Sequence, residues 1–131
     1  MSSITPADVS EYASSLARAC TGIAAVWLIG SRANGTEKET SDWDLLVFGD
    51  VATLECLKAR PNLHRGNVDC LALVDGEFRN AWGQRKSLTL KELNWEEAES
   101  HALYTEHKWS DGEGSTGVVS RRMRAVKLWG K

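Results

Sequence analysis

Apolar residues recur at three- and four-residue steps over Val9, Tyr12, Ala13, Leu16, Ala17 and Cys20. That period lays one apolar stripe along a helix of roughly four turns. Thr5-Pro6-Ala7-Asp8 predicts its start: threonine caps, proline suits the first helical position, and Asp8 sets negative charge in the first turn. Residues 23–29, IAAVWLI, run without polar interruption between two glycines. They are too few for such a helix and predict a buried strand. WDLLVFGD (43–50) predicts a second strand and NVDCLALV (67–74) a third, closed by the turn pair Asp75-Gly76. Between them, ATLECLKA (52–59) carries Leu54, Leu57 and Lys58 at helical spacing, and Pro61 ends that helix.

This alternation implies an α/β (α+β) fold with a sheet at its centre. Beyond residue 76 the pattern weakens. GEFRNAWGQRK (76–86) has too few apolar residues to assign, and KSLTLKELNW (86–95) alternates weakly, as a strand would. WEEAESHALYTEHKW (95–109) is acidic and fits a helix with Trp95, Ala98 and Ala102 on one side, and period-two readings fit as well. SDGEGSTG (110–117) has the composition of a loop, and VVSRRMRAVKLW (118–129) suits a strand or a short basic helix. With 131 residues, no repeat and no long linker, the chain is expected to form one domain, 1–131.

Composition narrows the function classes. Hydrophobic residues make up 42% and charged residues 26%, the balance of a globular protein. A net charge of −2 gives no global attraction to nucleic acid or acidic membrane. The opening MSSITPADVSEY has neither a basic start nor an apolar run, and no stretch approaches the roughly 18 apolar residues of a membrane span. A cytoplasmic location without membrane contact is the expectation. Cys20, Cys56 and Cys70 lack Cys-x-x-Cys spacing and form no zinc pattern with the histidines, so reduced, mostly buried thiols are expected.

The chemistry concentrates in GSRANGTEKETSDWD (30–44). If residues 42–48 form a strand, Asp42 and Asp44 share a face while Trp43 takes the other. Carboxylates so spaced suit hard cations such as Mg²⁺, and suit equally a strand that simply opens in solvent. Where the preceding strand runs into Gly30-Ser31, exposed backbone N–H groups and the serine hydroxyl can hold phosphate oxygens. Gly30 and Gly35 match the glycine spacing of a P-loop, but Thr36-Glu37 stands where Lys-Ser/Thr is required. Asp69 lies inside the third apolar run, where acids are rare unless paired or liganded, and is also a candidate general base.

Gly30-Ser31, ten intervening residues and Asp42-Trp43-Asp44 together resemble the GS-x10-D-x-D signature of the DNA polymerase β-like nucleotidyltransferase superfamily, in the style of its minimal stand-alone members. The likeness covers about residues 5–76 and leaves 77–131 as an accessory part of the same domain. It implies a mixed sheet with flanking helices and a two-Mg²⁺ site that transfers a nucleoside monophosphate from a nucleoside triphosphate, ATP foremost. By position, Gly30, Ser31 and Arg32 would hold phosphate. Asp42 and Asp44 would ligate both metals, and Asp69 would complete the acceptor-side metal and assist deprotonation. The acceptor is open among protein, RNA and small molecule, with a toxin-type protein partner as one version. A catalytically silent nucleotide- or protein-binding module is the alternative. Arg121, Arg122, Arg124, Lys127 and Lys131 near the chain end read either as a phosphate-contacting strip, RNA included, or as a solvated face. Trp27 and Trp43 are expected in the core; core packing is also the expectation for Trp82, Trp95, Trp109 and Trp129.

Overall fold

The apolar stripe becomes α1 (Pro6–Ala19) in the computed structural model, which describes residues 6–35, 42–82, 88–110 and 117–130. Val9, Tyr12, Ala13, Leu16, Ala17 and Cys20 are all buried. The expected cap Thr5, the loop residues 111–116 and the side chain of Trp109 lie outside what is described. The three apolar runs form β1 (Ile23–Ile29), β2 (Trp43–Gly49) and β3 (Val68–Val74). The four-residue α2 (Ser31–Asn34) follows β1, and α3 (Thr53–Lys58) connects β2 to β3. The Asp75-Gly76 turn, both residues at positive φ, folds β3 back onto β4 (Glu77–Asn80).

The second half completes the same sheet. Residues 95–109 are not a helix: they contribute β6 (Glu96–Glu97) and most of β7 (His101–Ser110). The period-two component prevails because Ala102 and Tyr104 are buried while Leu103 between them is 46% exposed. In the segment 86–95, whose described residues start at Leu88, a short strand β5 (Leu88–Thr89) gives way to α4 (Leu90–Leu93). A capping box explains the switch, since Thr89 accepts from the Glu92 backbone while Glu92 reaches back to the Thr89 amide. Residues 118–129 lie in the long strand β8 (Gly117–Gly130). The strand order is β5-β4-β3-β2-β1-β8-β7-β6. Among the described residues, only β2 and β3 pair in parallel.

Each face of the sheet has its own apolar cluster. On one, α1 and α3 cover Val26, Leu28, Leu45, Val47, Cys70 and Ala72. On the other, α4 contributes Leu93, and Trp27, Leu46, Leu71, Phe78 and Tyr104 gather together. Trp95 packs edge-on against Trp27 at 5.2 Å and tilts onto Phe48 at 5.4 Å. Trp82 and Trp129 are half-buried against the helix-side cluster.

Only Cys70 fits the expectation of buried thiols. Burial pushes its thiol up to about 12, so it stays protonated at neutral pH. Cys20 and Cys56 form a disulfide instead, joining the chain after α1 to α3 with their Cα atoms 6.0 Å apart. Sequence spacing gave no sign of it, because the two residues meet only once α1 and α3 lie on the same face. Disulfides are uncommon in a reducing cytosol. Cys56→Ser is expected to lower stability by about 2–4 kcal/mol. Urea titration with and without dithiothreitol measures this, and midpoints unchanged by both reduction and substitution would rule the crosslink out.

Candidate active site

β-Pairing assembles the acids. The Cα partner of Asp44 on β2 is Asp69 on the parallel neighbour β3. Adjacent strands lie about 4.8 Å apart. Trp43 and Leu45 enter the helix-side cluster, while Leu46 and Leu71 join the opposite one. Asp44 and Asp69, two residues before those leucines, therefore share that opposite face. Asp42 has the same parity but sits one residue ahead of β2, exposed. The structure thus brings Asp44 and Asp69 together and leaves Asp42 at the rim.

Gly30 closes the other side. It follows Ile29, the β1 residue paired with Asp44. Its φ of 81° lies in the region that favours glycine, and a Cβ there would come within 2.7 Å of Asp44 Oδ2. The glycine therefore serves as more than the end of a strand: it lets the backbone approach the carboxylate. Ser31 starts α2, and Gly35, in the left-handed conformation, ends it. Gly30→Ala is expected to combine backbone strain with that close contact. A stability loss of about 1–3 kcal/mol should accompany loss of site function, and a wild-type melting curve would refute the close approach.

Arg32 lies over the ring of Trp43, 4.7 Å from its centroid. That contact places its guanidinium against a core residue of the helix side, whereas Asp44 and Asp69 share the opposite face. In the basic strip Arg121 pairs with Glu106 at 3.3 Å, and Arg122 pairs with Glu96. Arg121, Arg122 and Arg124 are exposed.

Two residues absent from the sequence reading touch the turn. The Gly30 amide donates to Tyr104 Oη at 2.7 Å, and Asn34 Nδ2 donates to the Gly30 carbonyl at 2.8 Å. Burial raises the Tyr104 pKa above its ordinary value, with the Gly30 amide opposing that rise. The period-two alternation around Ala102 was the available signal for Tyr104. Asn34-Gly35 carried only a turn signal.

No three His, Cys, Asp or Glu side chains among the described residues gather into a metal cage. That geometry still fits Mg²⁺, which usually takes one or two carboxylates and completes its shell with water and substrate phosphates. Two acids in register on adjacent strands repel each other, and a divalent cation between them removes that cost.

The fold, a mixed sheet with helices packed on it, accords with the architecture that the resemblance implied. A family model described as Polymerase beta, Nucleotidyltransferase matches residues 11–80, more than half of the chain. Comparison with curated proteins and with solved structures returns no match. The matched stretch runs from within α1 to the end of β4 and includes Gly30, Asp42, Asp44 and Asp69. The chain belongs to the polymerase beta nucleotidyltransferase family.

Proposed function

We propose that this chain is a Mg²⁺-dependent nucleotidyltransferase that moves a nucleoside monophosphate from a nucleoside triphosphate to an acceptor. The observation that carries this reading is the in-register pair Asp44 and Asp69 beside the Gly30 turn. Asp42, Asp44 and Asp69 would hold the metal, and Gly30, Ser31 and Arg32 would hold the triphosphate. Bound Mg²⁺ supplies charge neutralisation for the phosphates and aligns nucleophile with leaving group. In the transfer, an acceptor oxygen bonds to the α-phosphorus while the bond to the β-phosphate oxygen breaks and pyrophosphate leaves with the electron pair. Asp69 takes the acceptor proton. The chain's remaining contribution is positioning, which phosphoryl chemistry chiefly requires.

ATP is the first donor to test, and the acceptor is a protein, an RNA or a small molecule. A toxin-type protein is the version in which a neighbouring gene would supply the substrate. The test incubates the full chain with Mg²⁺, cell lysate and each triphosphate labelled at the α or the γ phosphate. Acceptor labelling from the α position alone supports nucleotidyl transfer. Labelling from γ alone, or from neither, refutes it; Mg²⁺-dependent triphosphate binding without transfer would establish the silent module.

A further inference from the structure

One buried side chain from outside the matched residues 11–80 reaches the phosphate turn: Tyr104 of β7, 74 positions from Gly30. The turn is also held from β8. The Arg124 amide donates to Asn34 Oδ1 at 2.8 Å, and Asn34 Nδ2 donates to the Arg124 carbonyl at 3.0 Å. The pairing of β1 with β8 ends at Leu28 with Val126. In an antiparallel ladder every second residue turns its N–H and C=O to the same neighbour. Arg124 is therefore the next residue of β8 to present both groups on that side, and the Asn34 carboxamide meets them where β1 has turned away. The same carboxamide binds the Gly30 carbonyl at 2.8 Å while Tyr104 holds the Gly30 amide at 2.7 Å.

Both polar groups around Gly30 are thus anchored by side chains, and both anchors trace to the β7–β8 hairpin. A glycine at positive φ has no Cβ to restrict its peptide planes, so neighbouring contacts must set them. Phosphate recognition depends on donors held to within about 0.5 Å of their working positions. We propose that Tyr104 is a positioning residue for the phosphate turn, with Asn34 coupling that turn to β8. The hairpin would then form part of the phosphate grip. This inference rests on the proposed function for the nature of the ligand, and on the hydrogen bonds alone for the anchoring.

Tyr104→Phe keeps the ring, which stacks 6.5 Å from Trp95, and removes only the hydroxyl. Amide exchange by NMR, melting curves and calorimetric titration with ATP and Mg²⁺ are measured on the full chain and on this variant. The expected result is Gly30 amide exchange about tenfold faster, the size of one lost hydrogen bond. Exchange in β1 and β8 should be unchanged, and the ATP dissociation constant should rise about five- to tenfold. Asn34→Ala removes the other anchor: it should speed exchange of the Arg124 amide, which donates to Asn34 Oδ1, and raise the ATP dissociation constant by a similar factor, and unchanged values of both overturn the coupling to β8 if Tyr104→Phe does not fold. Unchanged Gly30 exchange overturns the proposal, as does unchanged or tighter ATP binding in a variant whose wild type binds ATP. If the wild type binds no triphosphate, the nucleotidyltransferase reading fails, and Gly30 exchange alone then decides for or against the anchoring.

Discussion

Asp44→Asn is expected to reduce nucleotidyl transfer by a factor of about 10³ or more, roughly 4 kcal/mol in the barrier. The substitution keeps the side chain's size but removes the negative charge. Size matters here because a group on Gly30 would meet Asp44 Oδ2 at 2.7 Å, leaving little room for a larger side chain. Charge matters because Asp44 shares its strand register with Asp69, so the substitution would leave Asp69 and the rim residue Asp42 to face the cation and the phosphates. Folding should survive. Like charges directly opposite on neighbouring strands are destabilising, so the melting temperature of the variant should equal or exceed that of the wild type. Asp69→Asn should behave similarly in the melt. Assay of α-labelled transfer beside a thermal melt separates the cases: full transfer in Asp44→Asn excludes the metal mechanism, and a large drop in melting temperature assigns the carboxylate to the fold.

Trp27→Ala is expected to cost about 3–5 kcal/mol, enough to consume much of the stability of a domain this size. The ring is wholly shielded from solvent, 0% exposed, in the middle of β1. It lies edge-on to Trp95 at 5.2 Å, with Lys127 Nζ 5.5 Å from its centroid on β8. Removing it opens a cavity beneath α4 and the Trp95 segment, on the face opposite α1. Trp27→Phe should cost far less. Its Nε1 is buried without a hydrogen-bond partner among the described residues, and phenylalanine eliminates that unsatisfied donor while leaving a smaller void. Chemical denaturation of both variants measures the difference. Equal costs would mean that the ring phenylalanine retains recovers none of the packing, and a mild Trp27→Ala would mean that this face of the sheet is not a packed core.

The first half of the fold was legible because its signals are local. The stripe from Val9 to Cys20 needs only the helical period, and IAAVWLI needs only an unbroken apolar run between glycines. Residues 95–109 carried two periods at once, and the sequence left both open. Pairing with β8 decided the matter from His101 onward, since a strand with a long antiparallel partner satisfies its backbone along its whole length. The strand reading of 86–95 failed at Thr89, where a capping box rewards a turn of helix more than a second ladder residue. The disulfide joins residues 36 apart, a separation at which neither spacing nor composition carries pairing information.

The candidate site divides along the same line. Sequence by itself determined the acids, the Gly30-Ser31 turn and the shared parity of Asp42 and Asp44, because these follow from residue type and from the two-residue alternation of a strand. Tertiary structure alone decided that Asp69 stands beside Asp44, that Asp42 remains at the rim, and that Tyr104 and Asn34 hold the glycine between them. The physical reason is that strand register and strand order are set by packing between distant segments. A period read along the chain fixes which face a side chain takes, and says nothing about which neighbour it will meet there.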